Sequence, residues 1–166
     1  MNISEKIENF CLPNDLGQDI CIESFLGKWL VIYFYPKDNT SGCTKEAVDF
    51  TQNLIEFTQR DTVVIGISPD KPASHISFIK KYDLKHILLC DESKQILKKF
   101  GAYGTKKMYG KESEGVIRST FIVSPTGVIE YKWNNVKVET KSAKGTVKHV
   151  DVVLKKLDEI QKQKKY

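Results

Sequence analysis

The stretch "WLVIYFYPKDNTSGCTKEAVDF", residues 29–50, sets the expected fold. Its first seven residues, Trp29 to Tyr35, are apolar or aromatic without a break, which is typical of a strand covered on both faces of a sheet. Pro36 has no backbone N–H and cannot continue the ladder of a central strand, so we expect the chain to leave the sheet there. The turn-forming residues "KDNTSG" follow. The stretch therefore predicts a strand, a loop and then a helix, with Cys43 at the helix start.

Alternating strand and helix patterns continue along the chain. Further strands are expected at Val63 to Ser68, Ile87 to Cys90, Ser119 to Ser124 and Val128 to Trp133. The first helix is indicated by Ala47, Phe50, Leu54 and Phe57, reinforced by Val48 and Ile55. Pro72 opens a second helix, and Val147, Val150, Leu154, Leu157 and Ile160 mark a closing one. The order predicts an α/β protein with a central mixed β-sheet flanked by helices, in a thioredoxin-like arrangement.

The organisation favours one domain over residues 1–166, because no linker or repeat interrupts the pattern. Cys11 and Cys21 are expected at apolar positions of an N-terminal β-hairpin. The glycines between Gly101 and Gly115 lack the spacing of a nucleotide-binding fingerprint, so they are expected only to shape a loop toward Arg118.

Composition excludes several classes of function. Hydrophobic residues make up 40% of the chain and charged residues 28%, as in ordinary globular proteins. Its 26 basic and 21 acidic side chains give a net charge of +5, but no segment interleaves a basic face with aromatic residues, which argues against nucleic-acid binding. The N-terminus has no apolar signal core, and the run "WLVIYFY" is too short to span a bilayer. We therefore expect a cytoplasmic protein that does not bind membranes.

Four cysteines, Cys11, Cys21, Cys43 and Cys90, occur without any CxxC pair. A reducing compartment argues against a static disulfide framework. No Cys/His cluster has zinc-finger spacing, since His75, His86 and His149 form no such group with the cysteines. We expect neither a metal nor another cofactor, and at least one free thiol.

Cys43 is the candidate nucleophile, although a free cysteine is also often a small buried hydrophobe. At the first turn of a helix its sulfur would lie near unpaired N–H groups and the positive end of the helix dipole, which favour the thiolate. Complete ionisation gains only some tens of fold over an ordinary thiol at pH 7, so a thiol enzyme also needs hydrogen-bond donors for its transition state. Thr40, three residues upstream, and Arg118, directly before a predicted strand, are the candidates.

The chain resembles the peroxiredoxins. Pro36, Thr40 and Cys43 fit the PxxxTxxC motif of that family, and "YFYPKDNTSGCTKEA" is similar to the form found in its Q-type branch, the bacterioferritin comigratory proteins. The segments "VVIGISPD" and "FGAYGTKKMYGKESEGVIRSTFIVSPTGVI" extend the resemblance over nearly the whole chain. It implies a thioredoxin-like fold and a thiol-dependent peroxidase that reduces hydrogen peroxide and organic hydroperoxides in antioxidant defence.

The resemblance also implies a role for each motif residue. Cys43 would be the peroxidatic cysteine, which attacks a peroxide oxygen and becomes a sulfenic acid. Thr40 would hydrogen-bond the peroxide, and Arg118 would polarise the O–O bond and hold the thiolate. Pro36 would shield Cys43 from water, and Glu46 would orient Arg118 or the loop.

The sequence departs from the family where a second thiol is expected. Many Q-type relatives carry a resolving cysteine five residues after the peroxidatic one, but that position is Val48 here, and "KPASHISFIKKYDL" contains no cysteine. Cys90 remains a possible resolver after local unfolding, and Cys11 and Cys21 are weaker candidates. We therefore expect a one-cysteine mechanism with thioredoxin, glutaredoxin or a small thiol as reductant, in a monomer or weak homodimer.

Two other functions stay open at this point. A dithiol oxidoreductase is disfavoured because no CxxC motif is present. A peroxide sensor or holdase would use oxidation of Cys43 to expose a binding surface instead of supporting turnover. In addition, Ser41 stands where relatives commonly have proline, which leaves the loop less restricted and is expected to make Cys43 more open to overoxidation.

Overall fold

A computed structural model of the protein describes residues 1–164. Its strands are, in chain order, β1 (Cys11–Pro13), β2 (Asp19–Cys21), β3 (Trp29–Phe34), β4 (Thr62–Ser68), β5 (Ile87–Cys90), β6 (Tyr103–Met108), β7 (Lys111–Val116), β8 (Ser119–Val123), β9 (Ile129–Trp133), β10 (Glu139–Ser142) and β11 (Gly145–Lys148). Its helices are α1 (Ser41–Gln52), α2 (Leu54–Gln59), α3 (Pro72–Tyr82), α4 (Gln95–Lys99) and α5 (His149–Gln163), and a short 3-10 helix covers Ile22–Phe25. Lys165 and Tyr166, which belong to the expected domain, lie outside the described residues.

The central sheet has the strand order β5-β4-β3-β8-β9. β3 pairs in parallel with β4 and antiparallel with β8, and β4 pairs in parallel with β5. The predicted mixed sheet flanked by helices is confirmed, and each predicted strand ends within one residue of the observed one. The long apolar run of β3 is explained by its place in the middle of the sheet, where all six residues are buried.

Side chains of β3 alternate between two cores on opposite faces of the sheet. Leu30, Ile32 and Phe34 pack into one core together with residues of the N-terminal hairpin and α4. Val31 and Tyr33 pack into the other, which holds Cys43 and residues from α1, α2, α3 and α5. The face that a side chain occupies therefore decides whether it can contribute to the surroundings of Cys43.

The N-terminal hairpin is present, but the prediction that its cysteines occupy apolar positions without forming a disulfide is wrong. Cys11 and Cys21 are cross-strand partners whose Cα atoms lie 4.0 Å apart, and they form a disulfide. Neither is a buried apolar position, because Cys11 is exposed and Cys21 is half-buried. A local pattern of hydrophobicity could not reveal the pairing, since it depends on the strand register.

Three further elements differ from expectation. The first helix is interrupted at Asn53, whose side-chain amide donates a 2.8 Å hydrogen bond to the Asp49 carbonyl, and Ile55 is exposed. The glycine-rich segment is a hairpin of β6 and β7, not a loop. β10 and β11 form an unpredicted hairpin, so Val147 lies in β11 and is 52% exposed, and α5 begins only at His149.

No helix within residues 1–164 combines the length and the apolar character needed to cross a bilayer.

Candidate active site

Cys43 lies where the fold changes from strand to helix. β3 ends at Phe34, Pro36 follows, and α1 begins at Ser41, so Cys43 is the third residue of the helix. The carboxyl end of a parallel strand is where ligands bind in open α/β sheets. The Cys43 side chain is only 1% exposed, and it lies near the free N–H groups of the first helical turn.

Arg118 reaches Cys43 because β8 runs antiparallel to β3. Phe34 pairs with Ser119, so the start of β8 lies beside the end of β3, and Arg118 directly precedes β8. Its Nη2 donates a hydrogen bond to Cys43 Sγ at 3.2 Å, across 75 positions of sequence. The contact places a charged donor directly beside the sulfur.

The second arm of the same guanidinium binds Glu46. Arg118 Nη1 lies 2.7 Å from Glu46 Oε1, and Glu46 is 2% exposed one helical turn after Cys43. Burial raises the pKa of the Glu46 carboxyl to about 7, against the opposing effect of the Arg118 charge. Burial would lower the pKa of Arg118, but the charges of Glu46 and Cys43 outweigh it and raise that pKa. The arginine is therefore held as a fixed cation between a carboxyl group and a sulfur.

The lack of a side chain at Gly42 leaves room for the Arg118 guanidinium. A Cβ atom added at Gly42 would lie 3.3 Å from Arg118 Nη2, which is tight for a carbon beside a guanidinium nitrogen. No pattern in the sequence singles out this glycine, because its effect depends on where Arg118 lies in the folded protein.

Thr40 is exposed at the N-cap position of α1 but does not cap the helix with its side chain. Its Oγ1 donates instead to the Lys37 carbonyl at 2.9 Å. The oxygen lone pairs remain available to accept a hydrogen bond. Pro36, in the sequence between the end of β3 and Thr40, is half-buried.

A buried polar network beneath the loop was missed by the sequence reasoning. The Asp38 carboxylate, 1% exposed, accepts hydrogen bonds from Tyr35 Oη at 2.6 Å, Ser74 Oγ at 2.8 Å and His75 Nδ1 at 2.6 Å. His75 Nε2 lies 3.0 Å from the Leu89 carbonyl, which can only accept, so it carries a proton as well.

The charge state of this network follows from its contacts. Burial would lower the pKa of His75, but the hydrogen bond and charge of Asp38, with hydrogen bonds to Cys90 and the Leu89 carbonyl, together outweigh it and raise that pKa to about 10. Burial also raises the pKa of Asp38, but the bonds from His75 and its other partners outweigh it and lower that pKa. An imidazolium–carboxylate pair thus fixes the backbone two residues before Thr40. The signal in the sequence was weak, since the two residues are 37 positions apart.

Asp38, Asp70 and His75 also have the composition of a metal site, with ligand-type atoms all within 4.8 Å of one another. These atoms are already engaged, because Asp70 Oδ2 accepts hydrogen bonds from the Asp38 backbone N–H and Ser68 Oγ, both at 2.8 Å. The cluster is a satisfied hydrogen-bond network as it stands.

The other cysteines are placed away from Cys43. Cys90, 1% exposed, ends β5, and β4 lies between β5 and β3, which separates those strands by about 10 Å. Cys43 lies in α1, beyond the end of β3, and both Cys43 and Cys90 are free, buried cysteines. The hairpin with Cys11 and Cys21 covers the opposite face of the sheet.

Comparisons with known proteins agree with this geometry. Residues 3–132 match the AhpC/TSA family. A Helicobacter pylori bcp protein is 45% identical over 144 residues, which cover 87% of this chain and 95% of the relative. Peroxiredoxin Bcp of Bacillus subtilis is 38% identical over 139 residues, covering 84% of this chain and 88% of the relative.

Solved structures show the same likeness. The bacterioferritin comigratory protein of Xanthomonas campestris matches with a TM-score of 0.79 and 37% identity, covering 90% of each chain. Xylella fastidiosa PrxQ matches with a TM-score of 0.85 and 34% identity, covering 95% of this chain and 96% of the other. The chain therefore belongs to the AhpC/TSA family and, within it, to the Bcp/PrxQ peroxiredoxins, which are thiol-dependent peroxidases.

Proposed function

We propose that Cys43 is the peroxidatic residue of this peroxidase. The observation that carries the proposal is the 3.2 Å contact between Arg118 Nη2 and Cys43 Sγ at the start of α1. The Cys43 thiolate attacks one peroxide oxygen, the O–O bond breaks, and the leaving oxygen takes a proton to become water or an alcohol. Cys43 is then a sulfenic acid.

Arg118 supplies the donor, and Thr40 an acceptor, for this displacement. Negative charge moves from sulfur to the leaving oxygen, and a guanidinium already fixed by Glu46 stabilises it without having to reorganise. The Thr40 hydroxyl, exposed three residues before Cys43, accepts a hydrogen bond from the peroxide and orients it. Pro36 limits access of water to Cys43, and Glu46 positions Arg118.

A groove beside the loop suits organic hydroperoxides. It is lined by apolar surface from Pro36, Pro69, Tyr103 and Val116, with Lys106 among its polar residues. Burial lowers the pKa of Lys106, with a further contribution from the charge of Arg118, so the groove is close to the reacting groups. The X. campestris relative is described as reducing alkyl peroxides. We infer the same substrate class here, in addition to hydrogen peroxide.

The absence of a thiol at position 48 and the burial of Cys90 support a one-cysteine mechanism. An external thiol attacks the sulfenic acid to form a mixed disulfide and water, and a second thiol releases Cys43 and leaves as a disulfide. Thioredoxin, glutaredoxin or a small thiol would serve as reductant. A cytoplasmic monomer or weak homodimer fits this role.

The test is reductant-dependent peroxide consumption over many turnovers. Wild-type protein should consume hydrogen peroxide and cumene hydroperoxide with a thiol system present, and Cys43→Ser should lose that activity. Oxidation that stops after one turnover with every thiol reductant would reject the enzymatic role in favour of a sensor.

Intact mass spectrometry after one equivalent of peroxide tests the one-cysteine route. A dimedone adduct of the sulfenic acid should form equally in wild type and in Cys90→Ser. A disulfide that forms in the wild type and is lost in Cys90→Ser would show instead that Cys90 resolves the intermediate.

A further inference from the structure

The N-terminal hairpin contains a pair of sulfur atoms that the peroxidase reaction does not use. Cys11 and Cys21 face each other at one end of β1 and β2. The Ile22 N–H bonds to the Phe10 carbonyl at 3.0 Å, so the next pair along, Cys11 with Cys21, is a non-hydrogen-bonded pair. Side chains come closest at such positions, and the two Cα atoms lie 4.0 Å apart. The backbone register thus brings the two sulfurs together.

Exposure distinguishes this disulfide from a buried structural one. Cys11 is exposed and Cys21 is half-buried, whereas Cys43 and Cys90 are each 1% exposed. Thiol–disulfide exchange requires an attacking thiolate to reach one of the sulfurs, and exposed disulfides are the labile and regulatory ones. A reductant can approach Cys11 without any unfolding of the core.

The hairpin does not depend on the disulfide for its place in the fold. Phe10, Leu12 and Ile22 anchor it in the core, with exposures of 8%, 9% and 2%. Asn14 in its turn forms a backbone bridge with Leu89 of β5. Opening the disulfide therefore leaves the surrounding contacts in place, so the reduced form can persist as a folded state.

We propose that Cys11 and Cys21 are a second redox centre, which exchanges electrons with dithiols at the protein surface separately from Cys43. One thiolate of the dithiol attacks Cys11 Sγ, the Cys11–Cys21 bond breaks, and Cys21 leaves as a thiolate and takes a proton. The second thiolate of the reductant attacks its own sulfur in the mixed disulfide and releases Cys11. Two electrons and two protons pass to the hairpin, and the dithiol becomes a disulfide. The reverse exchange with an oxidised dithiol closes the pair.

The separation from Cys43 follows from the two faces of the sheet. The hairpin packs with Leu30, Ile32 and Phe34, whereas Cys43 packs on the other face with Val31 and Tyr33. The exchange centre and the peroxidase centre therefore lie on opposite sides of the same sheet. Reduction of the hairpin does not require the peroxidase reaction, and its test is independent of that activity.

The experiment counts thiols in the double variant Cys43→Ser/Cys90→Ser, in which only Cys11 and Cys21 remain. Protein purified without reductant is treated with maleimide under native conditions and weighed by intact mass spectrometry. We expect no adduct before reduction and two adducts after equilibration with dithiothreitol, with a midpoint set by the ratio of reduced to oxidised dithiothreitol. Adducts before reduction, or a pair that dithiothreitol reduces only after denaturation, would overturn the proposal.

The single variants Cys11→Ser and Cys21→Ser are the matched controls for folding. Each should give a native circular dichroism spectrum, because Phe10, Leu12 and Ile22 still anchor the hairpin. With Cys43 and Cys90 left unchanged, Cys11→Ser should show one more maleimide-reactive thiol than the wild type, because Cys21 is then unpaired. If both single variants unfold, the disulfide is required for the fold and the proposal fails.

Discussion

Replacing Glu46 by glutamine should make the folded protein more stable above pH 7 and, at the same time, less active. Glu46 is almost fully buried, and its Oε2 has no hydrogen-bond partner among the described residues. Glutamine keeps the shape and an acceptor for Arg118 Nη1 but removes the charge. The same change therefore removes a buried ion and the carboxylate charge that faces Arg118.

The magnitude follows from the pKa of Glu46, which rises from an ordinary 4.5 to about 7 in the folded protein. Between these values the folded protein keeps a proton that the unfolded chain releases, so the free energy of unfolding falls as pH rises. At about 1.36 kcal/mol per pKa unit, the loss is about 3 kcal/mol by pH 8. Glu46→Gln should recover about this amount at pH 8 and should match the wild type at pH 4.5.

Urea unfolding of wild type and Glu46→Gln from pH 4.5 to pH 8 measures this difference, and Glu92→Gln, at an exposed position, is the control. The peroxidase rate at pH 8 is measured on the same samples and should fall in Glu46→Gln alone. If Glu46→Gln is no more stable than wild type at pH 8, the ionised Glu46 carboxylate does not destabilise the folded protein, and the reasoning from its burial is refuted.

Substitutions at four other positions test the remaining parts of the site. Arg118→Lys should lower kcat/KM roughly 100-fold in a peroxidase assay, because one ammonium cannot bind both the sulfur and the carboxylate; activity near the wild-type level would contradict this. Thr40→Val should lower kcat/KM with every peroxide, and Thr40→Ser should retain it; activity retained in Thr40→Val would show that the hydroxyl is not needed. His75→Gln should lower the free energy of unfolding by about 3 kcal/mol near pH 6, and because the His75 pKa is raised to about 10, the deficit should shrink as pH rises through that value in urea titrations. Tyr103→Ala should raise KM for cumene hydroperoxide but not for hydrogen peroxide, and a parallel change for both would remove the groove from substrate binding.

Local sequence patterns were sufficient for the centre of the fold. The unbroken apolar run of β3, the proline after it and the helical spacing of Ala47 and Phe50 each act within one element or its boundary. Cys43 at the start of α1 was predictable for the same reason. These elements are strongly patterned because they are buried, and burial restricts which residue types can occupy each position.

Contacts between distant parts of the chain were not predictable from such patterns. The proximity of Arg118 to Cys43 was expected only through the resemblance to a family, because it depends on the antiparallel pairing of β3 with β8. The Asp38–His75 pair and the Cys11–Cys21 disulfide depend likewise on how elements pack or register. The hairpin of β10 and β11 was not predictable because it is largely exposed and therefore lacks apolar alternation.

The order of assembly follows from where Arg118 lies in the chain. A ribosome makes the Cys43 thiol 75 residues before the arginine that contacts it, and β8 must then insert beside β3, in the middle of the sheet. Domains are synthesised from the N-terminus at about 5–20 residues per second, so several seconds pass between the synthesis of Cys43 and that of Arg118. A growing chain that ends before β8 therefore contains Cys43 but not its contact with Arg118, which forms only when β8 joins the central sheet.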